Sequence, residues 1–379
     1  MSVVSAYVSV GGQNIPVKSL ELSYGKTKKG DTFKATLAMM NPMAQNVIQY
    51  GGQDVICIVN DTPTKGPFLL ENVDYTYDMT EIEISGRDVV AATLLDNGSA
   101  DPSGSNTFTN MTANQVVQQL VAGFPLDMDQ AGDPLAGKIY TTDWNAILHR
   151  QSSWDAICDI ADIYGLNAFL TGGTVYLKDI AATWPQRNVF WSPPSALGHA
   201  TGNFIKMKCS KNFQMAKTIS VTTNSWNHKQ KKILTATSTA GGSADGQLNY
   251  EYRGSGHTQG QIEQLCKKKA NEHAKHAHNI ELMFVGDMTW TPLFQIQVTG
   301  TGGPFDTIYD VEHVDHHIVC ESGHGKGGRG PSTSTFEASQ SRGGFTTTVV
   351  GKTAGGSGAS GSANGVGALI GAASNSGAG

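Results

Sequence analysis

Apolar and polar residues alternate through the opening stretch of the chain. Val3–Val10 alternates, Gly11 and Gly12 turn the chain, and Ile15–Leu22 resumes the pattern, which predicts a hairpin. Phe33–Met39, Asp54–Val59, Phe68–Tyr77 and Thr80–Ser85 repeat the same period of two, the signature of strands with one buried face. Asn41–Tyr50, with Pro42 near its start, reads as a loop or a single helical turn. About six short strands joined by turns predict a small barrel or sandwich.

The segment Glu81–Asp96, EIEISGRDVVAATLLD, closes this region. Gly86 is expected to break the strand, since a residue without Cβ turns sharply. Asp88 is expected to cap the next element, and Val89–Leu95 to form a short helix packed back onto the sheet. Arg87 at the corner has Asp88 and Asp96 as candidate ion-pair partners.

A Gly/Ser/Asp-rich stretch, Asn97–Asn106, marks a boundary, and the period then changes. Thr112 and Gln115 form a capping-box start for a helix ending near Gly123. Ser152 can cap a second helix, with Asp155 favoured in its first turn. Trp154, Ile157, Cys158, Ala161 and Tyr164 recur at helical spacing, with Asp159 and Asp162 assigned to solvent and Gly165 to the C-terminal stop. LNAFL, Gly172–Gly173 and TVYLKD then predict a hairpin, completing a compact α/β module.

A third region starts in the Pro-rich sequence around Trp184–Pro194. Phe204–Ser210 and Thr218–Thr223 read as strands, and Ile233–Gln247 as a polar loop or irregular hairpin. Gln259–Asn279 reads as one long helix with Ile262, Leu265, Cys266 and Ala270 on its inner face. Ile280–Val285, Phe294–Thr299 and Thr307–Glu321 are further strands, and Thr333–Ala338 is placed to pair with the last of them. From Ser341 onward the chain is Gly/Ser/Ala/Thr-rich, a composition that buries too little apolar surface to offset the entropy of ordering it.

Composition agrees with a β-rich chain. Of 379 residues, 16% are charged and 45 are glycine, which favours strands and turns over a helical enzyme. A net charge of −5 gives no support to a basic nucleic-acid surface. The N-terminus lacks the basic start and apolar run of a signal segment, and no run approaches the ~20 apolar residues of a membrane helix. The five cysteines are scattered without a CxxC pair, so a zinc ribbon and a disulfide framework are not expected. They read as reduced, mostly buried thiols of a protein made in a cytoplasm.

Two histidine clusters are the candidate chemistry. Glu272, His273, His276 and His278 lie close together on the expected helix, where His273 and His276 share a face. That face also carries Lys267, Lys268, Lys269 and Lys275, so solvent is the plainer neighbour than a metal. The run Glu312–His317, EHVDHH, lies on a strand, with Glu312, Val314 and His316 on one face and His313, Asp315 and His317 on the other. Such a polar strand serves equally as a partial metal site, a subunit interface or a channel wall. Cys266 and His273 could share a helix face, yet a mid-helix cysteine among apolar neighbours is usually inert. Neither a GxSxG elbow nor a GxxxxGK[ST] phosphate loop occurs; the loop Gly323–Gly330 lacks the latter's pattern.

Four stretches together resemble the late-control-protein-D-like baseplate hubs of phage tails. They are SGRDVVAATLLD (Ser85–Asp96), TANQVVQQLVAGF (Thr112–Phe124), SSWDAICDIADIYGLNAFLTGGTVYLKD (Ser152–Asp179) and YDVEHVDHHI (Tyr309–Ile318) followed by STSTFEAS, in that order. The resemblance implies a β-rich α+β fold, with two tube-like β-barrels and a small α/β domain between them. It places the first barrel at 1–96, the α/β domain at 97–183 and the second barrel with its long helix 259–279 at 184–340; the Gly/Ser-rich C-terminal tail at 341–379, read from composition, departs from the family's pattern. It also implies a homotrimeric ring in a virion tail, assembled in a bacterial cytoplasm, that joins a sixfold tail tube to a threefold central spike. Its implied partners are the tail tube or distal tail protein, the spike, the tape measure protein and DNA passing through the lumen. No catalytic, cofactor-binding or metal residue is implied. The alternatives are a metal-dependent or hub-associated cell-wall hydrolase, using His273, His276, His313 and His317, and a secreted β-rich adhesin.

Overall fold

A computed structural model of the chain describes residues 4–96, 112–129, 152–179, 182–194, 200–227, 231–242, 244–255, 257–320 and 344–354. The opening alternation becomes β1 (Ala6–Val10), β2 (Gln13–Gly25) and β3 (Thr32–Ala38). A short helix, α1 (Pro42–Gln45), follows, capped by the Asn41 side chain on the Met43 N–H. Then come β4 (Asp54–Val59), β5 (Thr62–Pro63), β6 (Phe68–Thr76) and β7 (Glu81–Asp88). The antiparallel order β1-β4-β6-β7-β3-β2 returns to β1, closing a six-stranded barrel. Its inward positions are the expected apolar ones: Ile15, Leu20, Leu22, Phe33, Leu37, Phe68, Leu70, Ile82 and Ile84.

At the SGRD corner the strand does not stop where the sequence suggested. Gly86 lies inside β7, paired with Phe33 and Leu70. A Cβ there would stand 1.8 Å from the Leu69 carbonyl oxygen, so this glycine permits a close strand approach and not a turn. Asp88 does cap α2 (Val89–Asp96), accepting from the Val90 and Ala91 N–H groups at 2.8 and 3.3 Å. Arg87 pairs across the sheet with Glu71, at 2.6 Å, instead of along the chain with Asp88. The helix also leaves the barrel sheet: Val90, Ala91 and Leu94 belong to the core of the module that follows.

That module comprises α3 (Ala113–Leu120), β8 (Leu126–Met128), α4 (Ser153–Ile163), β9 (Leu166–Thr171) and β10 (Thr174–Asp179). The capping box at Thr112 and Gln115 forms as expected, and Ser152 Oγ accepts the Asp155 N–H. Gly165 takes φ +73° after α4, and Gly172 and Gly173 take positive φ in the β9–β10 turn. The sheet order is β8-β10-β9. The stretch Asn97–Asn106, assigned above to a boundary, lies outside the described residues.

The third region starts with β11 (Gln186–Ser192), β12 (Thr201–Gly202) and β13 (Lys206–Lys211). It continues into β14 (Thr218–Asn227), β15 (Lys232–Gly241), β16 (Gln247–Ser255) and α5 (Gln259–Ala274). The stretch read as a polar loop or irregular hairpin is mostly one strand, β15, paired antiparallel with β14. Leu234 and Ala236 alternate inward with Thr235 and Thr237 outward, and only one face of this three-stranded sheet is covered. The cover is α5, whose Ile262, Cys266 and Ala270 meet Ile219, Val221, Leu234 and Ala236. The helix is shorter than its pattern suggested: it ends at Ala274, a 3₁₀ turn spans Lys275–Ala277, and His278 opens the next strand.

The last strands are β17 (His278–Val285), β18 (Gln295–Thr299), β19 (Ile308–Val319) and β20 (Gly344–Thr353). With β11–β13 they run β12-β11-β18-β19-β20-β17-β13. Val189 from one end of this sheet shares a core cluster with Met207 and Cys209 from the other. β20 corrects the expectation for the region after Ser341. Composition concealed a β-branched run in which Thr347 and Val349 are buried between β17 and β19. The rest of that region, 341–343 and 355–379, lies outside the described residues, as do Thr333–Ala338 and Gly323–Gly330.

One strand unites the two large sheets. Residues 313–319 of β19 pair with β2, residues 308–310 pair with β18, and β20 follows its other edge. A bulge near Glu312 lets the strand change partner.

Candidate functional site

The structure separates the first histidine cluster. His273 lies flat on Tyr250, with ring centroids 4.2 Å apart and planes at 6°, and its Nε2 is 2.8 Å from the Tyr252 hydroxyl. Both tyrosines are on β16, so this imidazole fastens α5 to a sheet edge. His276 sits in the 3₁₀ turn and His278 on β17, so the three rings do not share a helix face. Burial lowers the pKa of all three. Cys266 is buried and donates to the Ala236 carbonyl at 3.2 Å. Among the described residues no group of three or more His, Cys, Asp or Glu side chains is arranged to hold a metal.

The second cluster divides between two faces. His313, Asp315 and His317 share the outer face as expected, and His316 points inward, 1% exposed, beside Tyr24 and Phe345. Glu312 departs from the expected face because of the bulge and turns toward Lys275 and Lys352. Ser23, His313 and Asp315 come within hydrogen-bond distance of one another. One nitrogen, His313 Nε2, meets both Ser23 Oγ at 3.0 Å and Asp315 Oδ1 at 2.9 Å, while Ser23 donates to the same carboxylate at 2.8 Å. A nucleophile relay needs the carboxylate on one ring nitrogen and the serine on the other. This triangle instead holds His313 above its ordinary pKa through the Asp315 hydrogen bond, and Asp315 below its own.

The triangle belongs to a longer polar wall. His317 lies 3.5 Å from Glu21, Glu21 is in register with Lys34, and Lys34 reaches Glu83 at 2.9 Å. A groove of about 410 Å³ runs over this wall, lined by Glu21, Ser23, Lys34, Asp315 and His317 among others. Exposed pairs of this kind add little stability. What they provide is a wetted face extending across β19, β2, β3 and β7.

Sequence reasoning missed the buried charges. Lys268, assigned to solvent, is 3% exposed and donates to Asp162 and to the Leu166 carbonyl, joining α5 to the α/β module. Burial would raise the Asp162 pKa, but the Lys268 ammonium outweighs it and holds the carboxyl below its usual range. Lys275, also assigned to solvent, lies 3.2 Å from the buried Asp310 of β19. The two lysines are seven residues apart, about two helical turns, on the face opposite Cys266 and Ala270, so the apolar stripe of the helix gave no sign of their burial. Nothing in the sequence marked Asp310.

Two groups stand out among the exposed large apolar side chains. Met40, Met43, Ile48, Tyr77 and Met79 come from the β3–α1 connection, α1 itself, the turn after it and the β6–β7 turn, which meet through the Met39–Thr80 backbone bond and the Tyr75–Gln45 bond. Phe190, Ile205 and Val285 come from β11, the β12–β13 connection and β17.

No protein-family model matches the chain, and no curated protein is similar to it in sequence. Solved structures are similar over almost the whole length. A tail protein from Neisseria meningitidis MC58 superposes with a TM-score of 0.65 at 14% identity, covering 93% of this chain and 97% of that one. The 43 kDa tail protein of prophage MuSo2 from Shewanella oneidensis gives 0.63 at 12% identity, covering 92% and 98%. The prophage tail protein gp18 from Listeria monocytogenes EGD-e gives 0.55 at 9% identity, covering 91% and 94%. The chain has the fold of these tail proteins.

Proposed function

We propose that this chain is a structural, non-enzymatic baseplate hub of a phage tail. Three copies form a ring that joins the sixfold tail tube to a threefold central spike and lines the channel between them. The observation that carries this reading is the fold shared, end to end, with prophage tail proteins. The strand β19, hydrogen-bonded into both large sheets, supports it further, because two sheet units fixed in one chain give six units in a trimer. The core shared by both ends of the β11–β13, β17–β20 sheet supports a second barrel.

In this reading the domains are 1–96, 97–183, 184–340 and 341–379, with β20 counted to the second barrel despite its position in the last of these. The tail tube or distal tail protein, the spike and the tape measure protein are the partners, and DNA passes the lumen without being held. The exposed apolar groups supply contact surface for such an assembly. The chain is placed in the virion tail after assembly in the host cytoplasm. Light scattering of the purified protein, alone and mixed with the tail-tube protein of the same particle, tests this. A mass of three times 40.1 kDa supports the ring. A chain that stays monomeric in both, or lyses cell walls, overturns it.

A further inference from the structure

Two carboxylates are buried together where the barrel meets the α/β module. Asp31, at the end of the β2–β3 loop, is 0% exposed, and Asp88, at the end of β7, is 1% exposed. The two backbones are neighbours: the Asp88 N–H donates to the Asp31 carbonyl at 2.9 Å. Both side chains face the β9–β10 turn. Asp31 Oδ2 accepts the Thr171 hydroxyl at 3.0 Å and the Gly172 N–H at 2.6 Å, while Oδ1 accepts the Gly25 N–H at 3.1 Å. Asp88 Oδ1 caps α2, and its buried Oδ2 faces the Gly173 N–H without a well-formed hydrogen bond.

Among the described residues, no lysine, arginine or histidine forms an ion pair with either carboxylate. The charged and titratable groups nearby are engaged elsewhere. Arg87 turns to Glu71, and His313 of β19 bonds Asp315. Lys26 lies over the Trp184 ring at 4.8 Å, with Asp310, Glu312 and Lys275 as its charged neighbours. Tyr24 of β2 donates to the Lys65 carbonyl, and the Lys65 stem crosses Gly172. Tyr24 and Tyr176 of β10 are both pushed upward, mainly by burial, and so stay neutral. Two buried negative charges without a cation are very unfavourable, and gaining a proton relieves this most directly.

We propose that Asp31 and Asp88 hold one proton between them at neutral pH, and that this proton latches the α/β module to the barrel. When the proton passes to solvent, the hydrogen-bonded junction at Thr171–Gly173 loosens. Burial pushes the Asp31 carboxyl up to about 7, with the Asp88 charge adding to the rise against the bonds from Gly172, Gly25 and Thr171. Asp88 is raised by burial as well. The three donors on Asp31 leave a lone pair of Oδ1 for the proton. Because the folded value of about 7 lies above the ordinary 3.8, the latch is complete below 3.8 and is lost as pH rises through about 7.

Amide exchange at Gly172 and Gly173 in the full-length chain reads the junction directly. After correction for intrinsic rates, protection in the wild type is expected to fall about tenfold between roughly pH 6 and 8.5, as one carboxyl ionises. Asp31→Asn, neutral at every pH, should remove that dependence. Where this variant folds poorly, carboxyl-carbon NMR of the wild type serves instead: one aspartate should titrate near neutral pH, and Asp88→Asn should shift it downward. Wild-type protection that is flat with pH, an Asp31→Asn variant that keeps the wild-type slope, or no aspartate titrating near neutral pH overturns the latch. So does protection that is lost on chelation and restored by calcium, which would place a cation where the proton is proposed.

Discussion

Lys275, in the turn after α5, lies 3.2 Å from the Asp310 carboxylate of β19, and the two side chains are only 9% and 3% exposed. Gln295 donates to the other oxygen of the same carboxylate at 2.7 Å. The pair therefore ties the helical cover of the β14–β16 sheet to the strand that unites the two large sheets. Removing one partner leaves a buried charge uncompensated. Lys275→Met or Asp310→Asn is expected to lower stability by about 3–5 kcal/mol, measured by urea unfolding. The double change Lys275→Met with Asp310→Leu should recover part of that loss, but not all, because Gln295 is then left without its acceptor.

His316 should make the seam between the two large sheets acid-sensitive. Its ring is buried, Nδ1 lies 3.0 Å from Thr347 Oγ1, and burial pushes its pKa down to about 4 from 6.5. A depressed histidine contributes stability that is complete above 6.5 and is lost as pH falls toward 4. The stability difference between wild type and His316→Asn should shrink by roughly 1.4 kcal/mol per pH unit across that window. The latch at Asp31 acts in the opposite sense over overlapping pH. Only differences between variant and wild type isolate either one.

Gly86→Ala should be severe. The added Cβ would stand 1.8 Å from the Leu69 carbonyl oxygen, a backbone atom within a paired strand, so relief requires the barrel wall to open. A loss of roughly 3 kcal/mol or more is expected, seen as a lowered thermal midpoint by circular dichroism. At Gly12 the same change meets open space, with nothing within 4 Å of the added Cβ, but the backbone there has φ +76°. Gly12→Ala should therefore cost only about 1 kcal/mol.

Truncation should divide sharply around β20. A chain ending at Ser341 loses the strand between β17 and β19 and exposes both their edges, with Thr347 and Val349 gone from the interior. It is expected to aggregate on expression. A chain ending at Ala354 retains the whole strand and should stay soluble and unfold cooperatively.

Local chemistry was the legible part of the sequence. Thr112 with Gln115, Ser152 with Asp155, Asp88 and the Gly172–Gly173 turn each act within a few residues, and each behaves as its type and spacing required. Period-two alternation likewise marked the barrel strands. The misreadings share a cause: a distant partner decided the outcome. Lys268 and Lys275 looked like solvated lysines until Asp162 and Asp310 reached them. Gly344–Thr353 looked like low complexity until β17 and β19 enclosed it. The threonines of β15 hid a strand because one face remains open to water. At the candidate site, the faces of His313, Asp315, His316 and His317 were readable, but the bulge that displaced Glu312 was not.

The shared strand β19 also sets a clock for synthesis. Ser23 meets His313 across 290 residues of chain, so residues 19–25 of β2 keep an unpaired edge until almost the whole protein has left the ribosome. The barrel's own six strands are finished long before, within the first 88 residues. A nascent chain thus carries a closed barrel with one sticky flank for most of its translation. Slow translation or premature termination before β19 should yield a species prone to pairing with its neighbours on the polysome.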